Sequence, residues 1–261
     1  MLEILYYTDT PCLQPHRNEN VLVLIHGLFG SGDNLNAIKN EMQKDFRVIS
    51  IDLPDHGQSP WSSTFCFENY AKQVALTLQS IGVTRANFVG HSLGGKIAMY
   101  LSHINPIMFH SLIVLDIAPI AYTPRHQNVI NGLTAVSLNS IENRRDAKDK
   151  MSIFVDDAGT QSFLLKSLYQ DNEIWKWRFN LNLLVQDYEK LSAWPLADKT
   201  VFDGDVLFIK GSKSDYITTA DQSTIMSQFP NAKAKIVDAG HWLHAEKPRL
   251  VNSLITKHLL N

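Results

Sequence analysis

The chain has 261 residues, of which 44% are hydrophobic and 19% are charged, and its formal net charge is −2. This length fits one large α/β domain that carries an insertion. So small a net charge creates no field that would gather phosphates or an anionic membrane surface. The composition therefore argues against nucleic acid and membranes as partners.

The N-terminal residues and the cysteines point to the cell interior. The first nine residues lack the basic and long apolar regions of a secretory signal, and no run reaches the 18 apolar residues of a membrane span. Cys12 and Cys66 are far apart and match no metal-binding or CxxC spacing. We expect a cytoplasmic protein with two reduced thiols and no metal site.

Short apolar runs bounded by turn residues alternate with helical patterns along the chain. Such runs are typical of parallel strands that are covered on both faces. The five clearest runs are residues 21–25, 47–51, 86–89, 111–115 and 205–209. A sixth run is residues 234–237, and residues 2–7 fit an antiparallel edge strand.

Two helices stand out by the spacing of their apolar residues. Residues 70–81 predict a helix on the sheet, with an apolar stripe at three- and four-residue steps made of Ala71, Val74, Ala75, Leu78 and Ile81. The final helix has Pro248 in its first turn. Its predicted buried stripe consists of Leu250, Val251, Leu254, Ile255 and Leu259. This alternation of strands and helices predicts a mostly parallel, doubly wound α/β sheet.

The alternation stops between about residues 120 and 201. Helical patterns such as residues 161–168 and the polar stretch 142–150 follow one another there without a clear strand. We interpret residues 119–201 as a helical cap inserted after the sixth strand, and residues 1–118 and 202–261 as the core. The cap is expected to cover the strand ends, where sheets of this kind bind ligands.

The strongest chemical signal lies between the strand at 86–89 and the helical pattern that follows it. Residues 90–94 read Gly-His-Ser-Leu-Gly, a G-x-S-x-G sequence. A sharp strand-to-helix turn exposes the serine hydroxyl, and its small glycines relieve the crowding of the backbone. The setting predicts that Ser92 is a nucleophile and that the N–H of Leu93 donates to a developing oxyanion.

A second oxyanion donor is expected in the loop after the strand at 21–25. Residues 26–32 read His-Gly-Leu-Phe-Gly-Ser-Gly, and Leu28 N–H is the candidate, since Gly27 lets the backbone bend there. His26 is expected to brace this loop.

A serine hydroxyl needs a base within hydrogen-bond reach and a carboxylate that orients this base. His241 follows the last strand pattern, so a parallel sheet delivers it to the same edge as Ser92, whereas His244 faces elsewhere if this turn is helical. Two acids remain open. Asp116 ends the strand at 111–115, and Asp215 follows the strand at 205–209, where many sheets of this fold keep their acid.

Motifs along nearly the whole chain resemble the α/β-hydrolases and, within them, the small bacterial esterases of the YbfF type. The resemblance rests on residues 26–30, 52–59, 90–96, 115–119, 163–166, 177–180 and 240–248. It implies the α/β-hydrolase fold with a helical cap. It also implies a serine esterase that acts on small to medium acyl esters or thioesters, without a metal or an organic cofactor.

The resemblance also implies roles for individual residues. Asp116 matches the acid that follows the strand after the nucleophile helix, and Ser214 matches a serine at the usual acid position, which favours Asp116 over Asp215. The stretch 52–59 matches a loop that supports the site without joining the chemistry.

Several residues are candidates for contact with the substrate. Trp177, with Trp175 and Phe179, is expected either to line an acyl pocket or to pack the cap onto the core. Phe29 and Trp242 are further candidates. Arg125 and Arg178 are candidates to meet an anionic part of a substrate.

Other functions remain on the same fold. A thioesterase, a C–C bond hydrolase and a perhydrolase all fit these residues. A binding protein on this scaffold would show a damaged triad, whereas Ser92, His241 and an acid are all present.

Overall fold

A computed structural model of the protein describes residues 3–17, 19–196 and 200–260. Within them the strands in chain order are β1 (Tyr7–Thr10), β2 (Val21–Ile25), β3 (Arg47–Ile51), β4 (Ala86–His91), β5 (Phe109–Leu115), β6 (Leu168–Asp171), β7 (Ile174–Trp177), β8 (Asp205–Gly211) and β9 (Ala232–Val237). Seven of them form one sheet in the order β1-β3-β2-β4-β5-β8-β9, in which only β1 pairs antiparallel. The predicted mostly parallel, doubly wound sheet is therefore confirmed.

The helices of the described residues are α1 (Asn36–Met42), α2 (Phe67–Ser80), α3 (Leu93–Ile104), α4 (Gln127–Ala135), α5 (Arg144–Met151), α6 (Ala158–Lys166), α7 (Leu181–Gln186), α8 (Tyr188–Ser192), α9 (Gln222–Gln228), α10 (Leu243–Glu246) and α11 (Pro248–Leu260). None of these helices has the length and apolar character that a membrane crossing requires.

Both faces of the sheet are buried, which explains the unbroken apolar strands. In β2, Val23 and Ile25 belong to a large core cluster shared with α2 and α3, while Leu22 and Leu24 point the other way into a second cluster. Successive side chains of a strand face opposite sides, so a strand covered on both faces must be apolar at every position. The second cluster is completed by side chains of α1, α10 and α11.

The edge strand is the first departure from the predicted elements. It spans Tyr7–Thr10 and not residues 2–7, of which Leu2 lies outside the described residues. Leu5 N–H donates to the Thr77 hydroxyl at 2.9 Å, and Tyr6 N–H donates to the Ser59 hydroxyl at 2.9 Å. Both amides therefore bind side chains outside the sheet, one on α2 and one in the loop after β3, before the chain enters β1.

The final helix also differs in one detail. Val251 and Ile255 are fully buried, Leu254 and Leu259 are partly buried, and Leu250 is exposed. Because an α-helix turns about 100° per residue, Leu250 lies about 100° away from Val251 around the helix. The buried stripe is therefore narrower than predicted.

The segment between β5 and β8, called the inserted segment below, differs more clearly from the helical insertion predicted from the sequence. Five strands, β1 to β5, precede it in the described chain, so it follows the fifth strand and not the sixth. Only one of these strands, β1, comes from the region before β2. The inserted segment holds α4 to α8 and also a hairpin, β6–β7, where only helices were expected. Asn172 and Glu173 form its two-residue turn with φ of 47° and 66°. Two positive φ values are typical of a type I′ turn, whose usual glycine is absent here.

Buried polar groups fasten the inserted segment to the core. Asn180 donates through its backbone N–H to Asp55 O and through its side chain to Asp55 Oδ1, both at 2.9 Å. Asp187 Oδ2 accepts from Phe65 N–H at 2.7 Å and from the Thr64 hydroxyl at 3.0 Å. Each contact joins residues more than 100 positions apart.

Candidate active site

Ser92 lies at the turn from β4 into α3, with φ 52° and ψ −120°. This conformation is costly for a residue with a side chain and persists only where the surroundings enforce it. Two glycines make the turn possible. A Cβ at Gly94 would lie 2.3 Å from Ile25 O, and a Cβ at Gly90 would lie 2.5 Å from Gly94 O. The predicted strand-to-helix turn is present, with its hydroxyl-bearing residue at the tip.

Two backbone amides next to Ser92 lack protein acceptors. Within the described residues, neither Leu28 N–H nor Leu93 N–H donates a hydrogen bond. The loop that carries Leu28 is braced by His26, whose Nδ1 donates to Gly27 O at 2.7 Å and whose Nε2 accepts from Leu53 N–H at 3.0 Å. Burial lowers the pKa of His26 to about 4, so this imidazole is neutral at pH 7.

The stretch 52–59 supports the same loop. Asp52 Oδ1 accepts from Gly32 N–H at 2.7 Å, and Asp52 Oδ2 accepts from Gln58 N–H at 2.9 Å. The carboxylate thus joins the loop after β2 to the loop after β3.

Three side chains from distant parts of the chain form one line of hydrogen bonds. His241 Nε2 lies 3.0 Å from Ser92 Oγ, and His241 Nδ1 lies 2.8 Å from Asp116 Oδ2. Ser92 follows β4, Asp116 follows β5, and His241 lies between β9 and α10. The parallel sheet brings all three to one edge because the carboxyl ends of its strands meet there.

The structure brings Asp116, and not Asp215, to His241. Asp116 is fully buried, and its carboxylate also accepts from Gly211 N–H at 2.8 Å and from the Ser214 hydroxyl. The Asp215 side chain is 80% exposed and pairs with Arg125 at 2.8 Å. Ser214, which the resemblance matches to a serine at the usual acid position, thus donates to the Asp116 carboxylate.

Further side chains hold His241 and were not found from the sequence. The Tyr216 ring stacks on the His241 ring with centroids 3.8 Å apart and planes at 18°. His91 Nε2 donates to His241 O at 3.0 Å. His244 packs its ring against His91 and contacts neither Ser92 nor Asp116. Nothing in the local pattern distinguishes Tyr216 from an ordinary loop tyrosine, so no sequence signal was available.

Two cavities of similar size, about 40 and 50 Å³, meet at Ser92. The Lys96 cavity is lined by Leu28, Ser92, Leu93, Lys96, Ile117, Tyr122, Thr123, Arg125, His126, Tyr188, Leu191, Ser192 and Tyr216. The Phe163 cavity is lined by Gly27, Leu28, Phe29, His91, Ser92, His126, Val129, Thr160, Phe163, Leu164, His241 and Trp242. Phe29 and Trp242, both predicted to contact substrate, therefore lie beside Ser92.

Trp177 does not line either of these cavities. It is 5% exposed, stacks on Phe179 at 5.3 Å, and lines a separate groove with Trp61 and Leu133. Phe179 in turn contacts Phe29, so the ring of Trp177 is two contacts away from the Phe163 cavity. Of the two places expected for Trp177, the structure shows it in the packing between the core and the inserted segment.

The Lys96 side chain is buried and lines the cavity named after it. Its ammonium donates to Ser192 O at 3.0 Å and to Ala193 O at 2.6 Å, at the carboxyl end of α8. It also lies over the rings of Phe67 and Tyr122. Burial lowers the pKa of Lys96 to about 7. The arrangement ties α3, directly after Ser92, to the inserted segment.

A protein-family model described as alpha/beta hydrolase fold matches residues 20–248. The chain belongs to the α/β-hydrolase family. Esterase YbfF of Escherichia coli (strain K12) is 35% identical over 248 residues, which cover 94% of this chain and 95% of that protein. The sn-1-specific diacylglycerol lipase ABHD11 of Mus musculus is 33% identical over 247 residues, with 91% and 80% covered.

A solved structure extends this similarity to three dimensions. The structure named Marine microorganism esterase superposes on this α/β-hydrolase with a TM-score of 0.93 at 29% identity, and the match covers 98% of this chain and 99% of that one. Esterase and lipase relatives together with this neighbour identify the chain as a serine-esterase-type hydrolase.

Proposed function

We propose that the protein hydrolyses small-molecule carboxylic esters with Ser92 as nucleophile, His241 as general base and Asp116 as the acid that orients it. One observation carries the proposal: the unbroken hydrogen-bond line from Ser92 Oγ through the His241 ring to the buried Asp116 carboxylate. In this geometry His241 holds its proton on Nδ1 and presents Nε2 to the hydroxyl, which is the state a base needs.

The first half of the reaction acylates the serine. Ser92 Oγ attacks the ester carbonyl carbon while its proton passes to His241 Nε2, and Asp116 stabilises the imidazolium. Charge then develops on the carbonyl oxygen, for which the free amides of Leu28 and Leu93 are the proposed donors. In other enzymes one such donor accounts for about 3 to 4 kcal/mol of transition-state stabilisation. The leaving oxygen takes the proton from His241 as its bond to carbon breaks.

The second half of the reaction hydrolyses the acylated serine and restores the free enzyme. A water molecule gives a proton to His241 and attacks the acyl carbon, and Ser92 Oγ recovers a proton as the carboxylic acid leaves. Every proton and bond in this cycle is provided by the chain, the ester and water, so the mechanism calls for neither a metal nor an organic cofactor. A thioester follows the same steps with sulfur as the leaving atom.

The proposal includes the place of the substrate. Phe29 and Trp242 border the Phe163 cavity and are proposed to contact the substrate. Residues 119–201, of which 197–199 lie outside the described residues, are proposed to act as the cap over the core formed by residues 1–118 and 202–261. Both cavities at Ser92 contain residues from this range, which supports a role of the cap in substrate selection. Their small size favours small to medium acyl esters as substrates.

The test is hydrolysis of p-nitrophenyl butyrate by the wild type, Ser92→Ala and Ser227→Ala. Ser227 lies on α9, and its exposed hydroxyl makes a matched control. We expect Ser92→Ala to reduce kcat by a factor on the order of 10⁶, and Ser227→Ala to match the wild type. Wild-type activity in a folded Ser92→Ala protein, confirmed by circular dichroism, would refute the proposed nucleophile.

A further inference from the structure

The two cavities at Ser92 are similar in size and differ in the residues that line them. The Lys96 cavity is lined by Lys96, Arg125 and three tyrosines, and the polar ends of these side chains are bound to protein partners. The Phe163 cavity is bordered by Phe163 and Leu164 of α6, Val129 of α4 and Trp242. Each cavity is therefore a separate place for one part of an ester bound at Ser92.

The proposed mechanism determines which part goes where. After attack by Ser92, the C–O bond to the alcohol breaks, and the proton held on His241 Nε2 must reach the departing oxygen. The alcohol must therefore lie on the side of His241. Among the described residues, His241 lines the Phe163 cavity and not the Lys96 cavity.

The apolar side chains of the Phe163 cavity keep surface available for a ligand. The rings of Phe163 and Trp242 have centroids 4.8 Å apart and planes at 38°, and both side chains are only partly buried. A flat or branched apolar group placed against them would bury the remaining ring surface, which is favourable at about 25 cal/mol per Å² of apolar area.

The polar groups around the same cavity are already engaged. His126 Nδ1 lies 2.5 Å from the Tyr188 hydroxyl, and His126 Nε2 lies 3.0 Å from the Tyr216 hydroxyl. The Thr160 hydroxyl donates to Asp157 at 2.7 Å. A polyhydroxylated alcohol would thus find few free partners for its hydroxyl groups, and buried polar groups without partners are costly.

The geometry points to an ester whose alcohol portion is an apolar aryl or branched alkyl group, seated against the touching rings of Phe163 and Trp242 in the Phe163 cavity. This inference rests on the proposed function, since it assigns the alcohol side of the same reaction. It makes Phe163 and Trp242 the residues that select the leaving alcohol, with the acyl group directed into the Lys96 cavity.

The test uses three butyrate esters that share one acyl group: methyl, benzyl and 2,3-dihydroxypropyl butyrate. Release of butyric acid gives kcat/KM for each ester with the wild type. We expect benzyl butyrate to exceed 2,3-dihydroxypropyl butyrate at least tenfold, a discrimination within the range of apolar pockets. A wild type that prefers the dihydroxypropyl ester would overturn the inference.

Variants then connect this preference to the cavity. Phe163→Ala is expected to lower the ratio of kcat/KM for benzyl over methyl butyrate about tenfold, and Phe163→Leu is expected to restore part of it. Phe154→Ala is the matched control, because Phe154 lies in the same inserted segment and lines neither cavity. Its ratio should equal that of the wild type.

Each outcome separates the inference from the proposed function. If the wild type hydrolyses none of the three esters, the proposed function fails. If it hydrolyses methyl butyrate but Phe163→Ala leaves the benzyl-to-methyl ratio unchanged, only the alcohol assignment fails. If Phe163→Ala instead changes the ratio of methyl butyrate to methyl acetate, the Phe163 cavity holds the acyl group and the inference is reversed.

Discussion

The loops around Ser92 and the inserted segment are held in place by different kinds of contact. Around Ser92 the backbone itself is closely packed, so that Gly94 touches the carbonyls at the end of β2. The inserted segment is fastened by side chains such as Asp55 and Asp187, whose partners lie more than 100 residues away. Close backbone approach demands glycine and is therefore visible in a sequence, whereas a distant side-chain partner leaves no local mark.

The proposed acid, Asp116, gives the largest expected change in kcat. Asp116→Asn removes the negative charge that orients His241, and the amide favours the wrong imidazole tautomer, so kcat should fall by roughly 10⁴. Asp215→Asn changes an exposed carboxylate of the neighbouring loop that contacts Arg125, and should alter kcat less than threefold. Rates with p-nitrophenyl butyrate for both variants decide between them. An inactive Asp215→Asn protein and an active Asp116→Asn protein would reverse the assignment of the acid.

A pair of glycines tests the contrast in backbone packing. Gly94→Ala places a Cβ 2.3 Å from Ile25 O and 2.4 Å from His26 O, so it should reduce the free energy of unfolding by about 3 kcal/mol or more. At Gly159→Ala, in α6 of the inserted segment, the new Cβ comes no closer to another group than 3.1 Å, to the Asp157 carboxylate. It should change that free energy by less than about 0.5 kcal/mol.

Urea unfolding monitored by circular dichroism measures both variants. Gly94→Ala as stable as the wild type would show that β2 and α3 can separate without cost, against the close packing described here. If Gly94→Ala fails to fold while Gly159→Ala is as stable as the wild type, the result supports this close packing.

The same contrast explains what the sequence could predict. The mostly parallel sheet and the positions of Ser92 and His241 at one of its edges follow from apolar runs and glycines that act within a few residues. The choice between Asp116 and Asp215 came from the resemblance to known esterases, because both follow strands that end at the same edge. Tyr216 and Lys96 were missed, since their roles depend on rings and carbonyls from other elements.

Two buried histidines at the loop that carries Leu28 make the stability of the protein depend on pH. Burial, followed by the nearby His26, lowers the pKa of His56 to about 3, and burial lowers that of His26 to about 4. Above pH 6.5 both are neutral in the folded and unfolded chain. As the pH falls below 6.5, only the unfolded chain takes up these protons, so the free energy of unfolding should fall by up to about 1.4 kcal/mol per pH unit for each histidine.

Replacement of one histidine checks this slope. His56→Asn keeps a donor near Pro54 O, which His56 Nδ1 now contacts at 2.8 Å, and removes one titrating group. The slope between pH 6.5 and 4.5 in urea unfolding should therefore become shallower by up to about 1.4 kcal/mol per pH unit. His110→Asn, at an exposed position, should change it less. Equal slopes in the wild type and His56→Asn would contradict the burial argument.

The smallest expected effect lies in the hairpin that the sequence did not reveal. Glu173 has φ 66° in the turn between β6 and β7, a conformation that costs a residue with a Cβ about 1 kcal/mol, whereas glycine adopts it freely. Glu173→Gly should raise the free energy of unfolding by about 0.5 kcal/mol, since the more flexible unfolded chain offsets part of the gain. Glu189→Gly, in the first turn of α8, should lower it by about 1 kcal/mol. If both substitutions destabilise the protein equally, Glu173 is not strained, and the turn is held by the pairing of β6 with β7 alone.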